Sequence, residues 1–276
     1  MQFTKYTGLG NDFVVLDGQS AADVKDPCAL APKICDRRFG VGADGLVLLL
    51  PSDKADVRMQ IINSDGSEAE MCGNASRCVA LHLYRRGIVN KKQISLETLA
   101  GIIQTDIIDE GKNLVRVDMG APRLKRGEIP MTGVAADRAV NVPLRAGGTE
   151  ISGTAVSMGN PHFVTFVENA EKAPVDTIAP ALEIHPAFPR KTNVEFVQVL
   201  NDKTVRMRVW ERGAGVTAAC GTGACAAVCA CVLNGKTGPR VTVKLDGGEL
   251  YIEWPEQKHI FMTGPAREVF TGEYNL

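Results

Sequence analysis

One feature constrains this chain more than any other: it repeats itself once, at long range. The segment RMQIINSDGSEAEMCGN (Arg58 to Asn74) aligns without a gap on RMRVWERGAGVTAACGT (Arg206 to Thr222), at an offset of 148 residues. Arg58-Met59 falls on Arg206-Met207, Cys72-Gly73 on Cys220-Gly221 and Gly87 on Gly235, while Gly10-Asn11 falls on Gly159-Asn160 one residue further on. A repeat of this period implies two related halves rather than a solenoid of small units. Each copy reads as a short strand, then a loop of Gly and polar residues, then a run of helix formers, Cys72 to Arg86 and Cys220 to Leu233, stopped by Gly87 or Gly235. The second run is small and apolar on nearly every face and predicts a fully buried helix; the first is less uniform. Strand signals return after each helix, so each half is expected to wrap β-structure around one central helix. A peripheral helix is expected within residues 21–38, and residues 121–150 read as a linker or as the entry into the second half.

Composition narrows the class of chain. The 276 residues carry a formal charge of −1, 45% hydrophobic and 23% charged residues, as in an ordinary globule large enough to bury a sizeable core. No basic block offers a footprint for nucleic acid. The strongest apolar run, Leu46 to Leu50, is far short of the roughly 20 residues of a membrane span, and the N-terminus has no secretory pattern. Eight cysteines without a secretion signal then suggest free thiols in a reducing, cytoplasmic setting.

The repeat places one cysteine of each half where a loop becomes a helix, followed by Gly and small residues. Such a helix start has unpaired N–H groups and partial positive charge, which favour a thiolate and a bound carboxylate. If a pseudo-twofold axis opposes Cys72 and Cys220 across a cleft, one can remove a proton from a carbon while the other donates on the opposite face, inverting it without a cofactor. Two decoys are set aside. Gly40 to Gly45 (GVGADG) fits a dinucleotide-binding spacing, but a helix-like segment precedes it and LVLLL follows it. Cys72/Cys78 and Cys220/Cys225 lack the further paired ligands of a zinc site, so no metal is expected, and the six other cysteines read as structural.

The ordered set KYTGLGNDF, NSDGSEAEMCGN, SMGNPHF, TNVEFV, ERGAG and ACGTGAC resembles the diaminopimelate epimerase family over nearly the whole chain. The resemblance implies an α/β (α+β) fold of two pseudo-symmetric halves, each a β-barrel-like sheet around a buried helix, with the active site in the cleft between them. The halves are expected at 1–120 plus 266–276 and at 121–265. It implies a cofactor-independent isomerase that interconverts LL- and meso-diaminopimelate, a small-molecule substrate, for lysine and peptidoglycan precursors; a homodimer is suggested by resemblance alone. Cys72 and Cys220 match the catalytic pair, and His162 and Glu211 match residues that adjust their thiol pKa values. Asn11, Asn63, Asn160, Asn193, Glu211 and Arg212 match substrate-binding positions, with Gly73-Asn74 and Gly221-Thr222 at the carboxylate-binding helix starts.

Read singly, each of these has a structural alternative: Asn11 and Asn160 as turn residues, His162 as a buried core histidine, Arg212 as an ion-pair partner. Their joint order favours the site. Two positions depart from the family pattern. Ala75 stands where glycine is usual, harmless if the backbone there is helical. Gly45 stands where some members place glutamine. The alternatives in function are a racemase of another amino acid on the same scaffold, or a non-catalytic amino-acid-binding or thiol redox-sensor protein.

Overall fold

A computed structural model describes residues 1–275. The chain divides into two compact units, Met1–Asp118 with the segment from Thr263 onward, and Met119–Met262.

In unit 1 the chain forms β1 (Gln2–Gly8), β2 (Asn11–Leu16), α1 (Gly18–Ala22), α2 (Pro27–Ile34), β3 (Gly45–Leu50), β4 (Val57–Asn63), β5 (Glu68–Ala69), α3 (Gly73–Arg85), β6 (Gln93–Thr98), β7 (Gly101–Asp109) and β8 (Leu114–Asp118). The expected peripheral helix is thus two, α1 and α2, the second started by the Asp26 side chain accepting from Ala29 N and by Pro27. Strands β1 and β2 pair antiparallel, β2 and β3 parallel, β3 and β4 antiparallel, β4 and β6 parallel, and β6 and β7 antiparallel, with β5 on β4.

Unit 2 contains β9 (Val142–Ala146), β10 (Thr149–Ser157), β11 (Pro161–Phe166), α4 (Val175–Glu183), β12 (Asn193–Asn201), β13 (Thr204–Glu211), β14 (Gly215–Val216), α5 (Gly221–Leu233), β15 (Arg240–Leu245) and β16 (Gly248–Glu253). The chain then runs through β17 (Phe261–Pro265) into β18 (Arg267–Glu273), which pairs with β1 in unit 1. The pairings from β10 to β16 repeat those of unit 1 sense for sense: antiparallel, parallel, antiparallel, parallel, antiparallel, with β14 on β13. Register repeats too. Phe13 faces Gly45 as His162 faces Asn193, and Val47 faces Ile61 as Glu195 faces Val209. The duplication read from sequence is a duplication of topology.

Period-two alternation explains the apolar run of β3. Val47 and Leu49 pack with β2 residues Phe13 and Val15 against α3, while Leu46 and Leu48 pack with Val14 and Leu16 against α2. The same division holds in unit 2, where Phe163, Val194 and Phe196 pack against α4. Each central helix is 13 residues long and ends before a glycine with positive φ, Gly87 at 66° and Gly235 at 64°, the left-handed exit that glycine adopts without steric cost.

The structure decides between the two readings of residues 121–150: they enter the second half rather than link to it, since Ile129, Met131, Ala139 and Ala146 lie in the core of unit 2 and β9 pairs with β10. Helix α3 is as buried as α5, from Gly73 to Leu83, despite Ser76, Arg77 and His82. Ser76 Oγ donates locally to Cys72 O, while the other two find partners remote in sequence: Arg77 Nε donates to Pro265 O at 3.2 Å, and His82 Nε2 lies 2.8 Å from Asp17 Oδ2.

Candidate functional site

Both cysteines singled out by the repeat are N-cap residues in extended backbone conformation, Cys72 before α3 (φ −141°) and Cys220 before α5 (φ −123°). Gly73 and Gly221 follow as the first helical residues, so nothing larger than hydrogen screens the unpaired N–H groups of either helix start. Cys72 is half-buried, while Cys220 is 4% exposed.

In unit 1, Asn74 on the first turn of α3 is buried and its Nδ2 donates to Asn11 Oδ1. Asn11, at the start of β2, donates in turn to Asp44 Oδ2 at 3.2 Å. Asp44 is held by Asp12 N and by Arg37, which also pairs with Asp12, itself 2.7 Å from Lys5 Nζ. Asn74 Oδ1 is buried with no hydrogen-bond partner among the described residues. Asn63 ends β4, exposed, and donates to Ser67 Oγ at 3.0 Å. Gly45 faces it across the sheet, where an added Cβ would meet Ile62 O at 3.0 Å. Ala75 is fully buried within α3, with no positive φ, and shares the inner core with Val47. The alanine is therefore compatible with its helix.

In unit 2 the corresponding pair is Asn160 and Thr222, with Asn160 Nδ2 donating to Thr222 Oγ1 at 3.2 Å. Thr222 Oγ1 is 3.5 Å from Cys220 Sγ, and Gly223 N donates to the same sulfur at 3.3 Å. His162 Nε2 meets Asn160 Oδ1 at 3.1 Å, and His162 Nδ1 meets Glu195 Oε1 at 2.6 Å, both residues fully buried. Glu211, at the end of β13, accepts from Thr217 Oγ1 and hydrogen-bonds the Cys220 thiol. Burial raises the Glu211 carboxyl above the usual carboxylate range. Burial also pushes the Cys220 thiol well above its ordinary value, and the nearby carboxylates of Glu211 and Glu195 push further in the same direction. Asn193 is buried, donating to Pro161 O at 2.8 Å and accepting from Arg212 N at 2.9 Å. Arg212 itself is exposed and gives one guanidinium bond to Arg190 O at 3.0 Å, leaving donors for a carboxylate.

Of the sequence-predicted residues, the structure brings Cys72, Gly73, Asn74 and Asn11 together in unit 1, with Asn63 apart on its strand end. In unit 2 it brings together Cys220, Gly221, Thr222, Asn160, His162 and Glu211, with Asn193 beside Arg212. Sequence reasoning missed Glu195, Thr217, Gly223 and Asp44. Glu195 lay inside the motif TNVEFV, and an acid in the middle of an apolar strand was the available signal.

Burial raises four of the remaining thiols. Cys35 is pushed up to about 11, Cys78 and Cys231 to about 12, and Cys229 well above its ordinary value. Among the described residues no group of three or more His, Cys, Asp or Glu is placed to hold a metal ion, and no helix is long and apolar enough to cross a membrane.

The diaminopimelate epimerase family profile matches residues 3–125 and 154–269. A diaminopimelate epimerase of Pelotomaculum thermopropionicum is 61% identical over 99% of both chains, and one from Heliobacterium modesticaldum is 55% identical over 100% of both. One from Methanococcus maripaludis is 52% identical, again over 100% of both. Among solved structures, a phenazine biosynthesis protein of the PhzF family from Bacillus anthracis matches with a TM-score of 0.73 at 17% identity, over 100% of this chain and 99% of that one. A probable proline racemase from Agrobacterium radiobacter matches at 0.71 and 19%, over 100% and 93%. At such identities these likenesses show the two-unit α/β fold. With full-length relatives above one-half identity, the chain belongs to the diaminopimelate epimerase family.

Proposed function

We propose that this chain interconverts LL- and meso-diaminopimelate without a cofactor, Cys72 and Cys220 serving as the two acid–base groups at one substrate α-carbon. The observation that carries the reading is the matched pair of helix starts, each an extended cysteine, a glycine and a buried or half-buried side chain held by an asparagine of the same unit. Removing an α-proton places negative charge on the adjacent carboxylate, and helix N–H groups are already oriented to receive it. Cys220 rests as a thiol, because burial and two carboxylates oppose its ionisation, and so can donate a proton. In the reverse direction it must give up that proton, and Glu211, whose carboxyl is raised by burial, is hydrogen-bonded to the thiol and can take it. Glu211 and His162 act on the thiol; Asn11, Asn74, Asn160 and Thr222 orient the amino-carboxylate being inverted.

Diaminopimelate has a second amino-carboxylate that does not react, and the site must read it. Asn63, Asn193 and Arg212 supply that function in the proposal: Asn193 holds the backbone of Arg212, whose exposed guanidinium is suited to clamp a carboxylate. A cytoplasmic setting and a homodimer belong to the same proposal.

The test is α-proton exchange in heavy water with LL-, meso- and DD-diaminopimelate beside a panel of single-enantiomer amino acids. The proposal expects exchange and inversion with the LL and meso forms only. Faster turnover of a simple amino acid would establish a racemase of different specificity. Tight binding without exchange would favour a non-catalytic binding protein.

A further inference from the structure

A chain of hydrogen bonds has a direction, and any member that can only accept or only donate fixes it. In unit 1 that member is Asp44. Its carboxylate accepts, so Asn11 turns Nδ2 toward Asp44 and leaves Oδ1 to face Asn74. In unit 2 the equivalent asparagine is turned end for end. Asn160 points Oδ1 at His162 Nε2 and Nδ2 at Thr222 Oγ1. That orientation requires a proton on Nε2, because Oδ1 has none to give. A second proton must lie between His162 Nδ1 and Glu195 Oε1, which are 2.6 Å apart. The His162–Glu195 pair therefore holds two protons and is neutral as a whole, which suits a site where both side chains are fully buried.

The consequence reaches the sulfur. With Asn160 donating to Thr222 Oγ1, the threonine keeps its own hydroxyl proton to give, and Cys220 Sγ lies 3.5 Å away. Were Asn160 reversed, Thr222 would spend that proton on Asn160 Oδ1 and the sulfur would lose a donor. The ionisable groups acting on Cys220 are Glu211 from β13 and Glu195 from β12, and His162 from β11 acts in turn on Glu211.

We propose that Glu195 is a positioning residue which, through His162, sets the direction of the chain Glu195–His162–Asn160–Thr222 so that the threonine hydroxyl donates to the Cys220 sulfur. Its effect on turnover rests on the epimerase reading above; the direction of the chain does not. Glu195 sits against α5 so closely that a Cβ at Gly223 would approach Oε1 to 2.8 Å, which leaves the carboxyl little room to turn away from the histidine.

The experiment compares Glu195→Leu, Thr222→Val, their double variant and Glu195→Gln. The glutamine amide can donate to Nδ1 and keep the proton on Nε2. Turnover is followed by α-proton exchange on diaminopimelate, folding by thermal melting, and the His162 ring by its nitrogen-bound protons in NMR. Glu195→Leu is expected to lower kcat on the order of 10-fold or more with KM changed less than about threefold, the size of one donor lost to a charged sulfur. Thr222→Val should lower kcat comparably, the double variant no further than the worse single, and Glu195→Gln should retain most of the rate. Losses that multiply in the double variant, or a Glu195→Gln rate as low as that of Glu195→Leu, would overturn the proposal. The ring measurement stands apart from activity: wild-type protein should show a proton on His162 Nε2, and a bare Nε2 would overturn the proposal even if Glu195→Leu did not fold. Wild-type protein that exchanges neither LL- nor meso-diaminopimelate would instead sink the epimerase reading, with the ring still readable.

Discussion

The starts of α3 and α5 occupy the same place in a duplicated topology, yet their surroundings differ at every position that could hold a charge. Phe13, Val47, Asn63 and Ala75 around the first correspond to His162, Glu195, Glu211 and Gly223 around the second. Cys72 is half-buried and packs on the apolar inner core of its unit. Cys220 is buried beside two acidic residues, Glu211 and Glu195, and burial and both acids oppose its ionisation. A duplicated backbone supplies two matching helix starts, and divergence of the side chains surrounds only the second with acids that hold its thiol protonated.

The largest effect should come from removing either sulfur. Cys72→Ala and Cys220→Ala are each expected to lower epimerisation by about 10²–10⁴-fold, the usual span for a positioned acid or base, with melting temperatures close to wild type. Near-normal turnover by either variant would end the two-thiol proposal. A smaller effect is expected from pressing on the charged side of the comparison. In Gly223→Ala the new methyl would meet Glu195 Oε1 at 2.8 Å and both Cβ and Sγ of Cys220 at 3.2 Å. Overpacking of this kind costs about 1–3 kcal/mol, and displacing the thiol should lower kcat on the order of 10–100-fold. A fully active Gly223→Ala would mean that the Glu195 carboxyl is free to move aside.

How far the sequence reveals this asymmetry depends on what kind of partner each residue has. The duplication is legible because its marks are backbone requirements: cysteine and glycine at a helix start, glycine with positive φ at its end, strands of alternating burial. Helix α5 is legible as buried because it is apolar on every face. Helix α3 is not, since Arg77 and His82 are buried only by virtue of Pro265 and Asp17, which are distant in the chain. Glu195 is hidden for the same reason. An acid at the third position of NVEFV looks solvent-facing until His162 on the neighbouring strand is seen to answer it. The repeat misleads here too, because its counterpart, Val47, is an ordinary core residue. Residues 121–150 lack strong periodicity, so their burial under unit 2 is settled by tertiary packing rather than by local pattern.

The third prediction concerns pH. Burial raises the Glu211 carboxyl in the folded chain, so the folded state disfavours its ionised form relative to the unfolded state. The stabilisation due to the protonated acid is complete below the unfolded pKa, roughly 4.3, and is lost as pH rises through the raised folded value. Glu211→Gln removes that loss and imitates the amide, Asn63, that unit 1 carries at the same place. It should melt roughly 2–4 °C higher than wild type at pH 7, with the gap closing toward pH 4, while epimerisation falls. A variant that is less stable at pH 7 would contradict the burial argument and leave Thr217 as the reason for the acid.

The smallest effect is expected on the apolar side, at the residue that departs from the family pattern. Ala75 is fully buried, helical and packed in the same core as Val47, where unit 2 has Gly223 beside Glu195. If glycine is needed at this helix position only where a carboxylate crowds it, then Ala75→Gly gains unit 1 nothing. It removes a buried methyl and adds backbone freedom to the unfolded chain, a loss of about 1 kcal/mol. Urea unfolding should show that loss, while KM and kcat for diaminopimelate stay within about twofold of wild type. A rise in turnover or a change of preferred substrate would show instead that the alanine methyl reaches the substrate, and that the two helix starts are more alike in use than their surroundings imply.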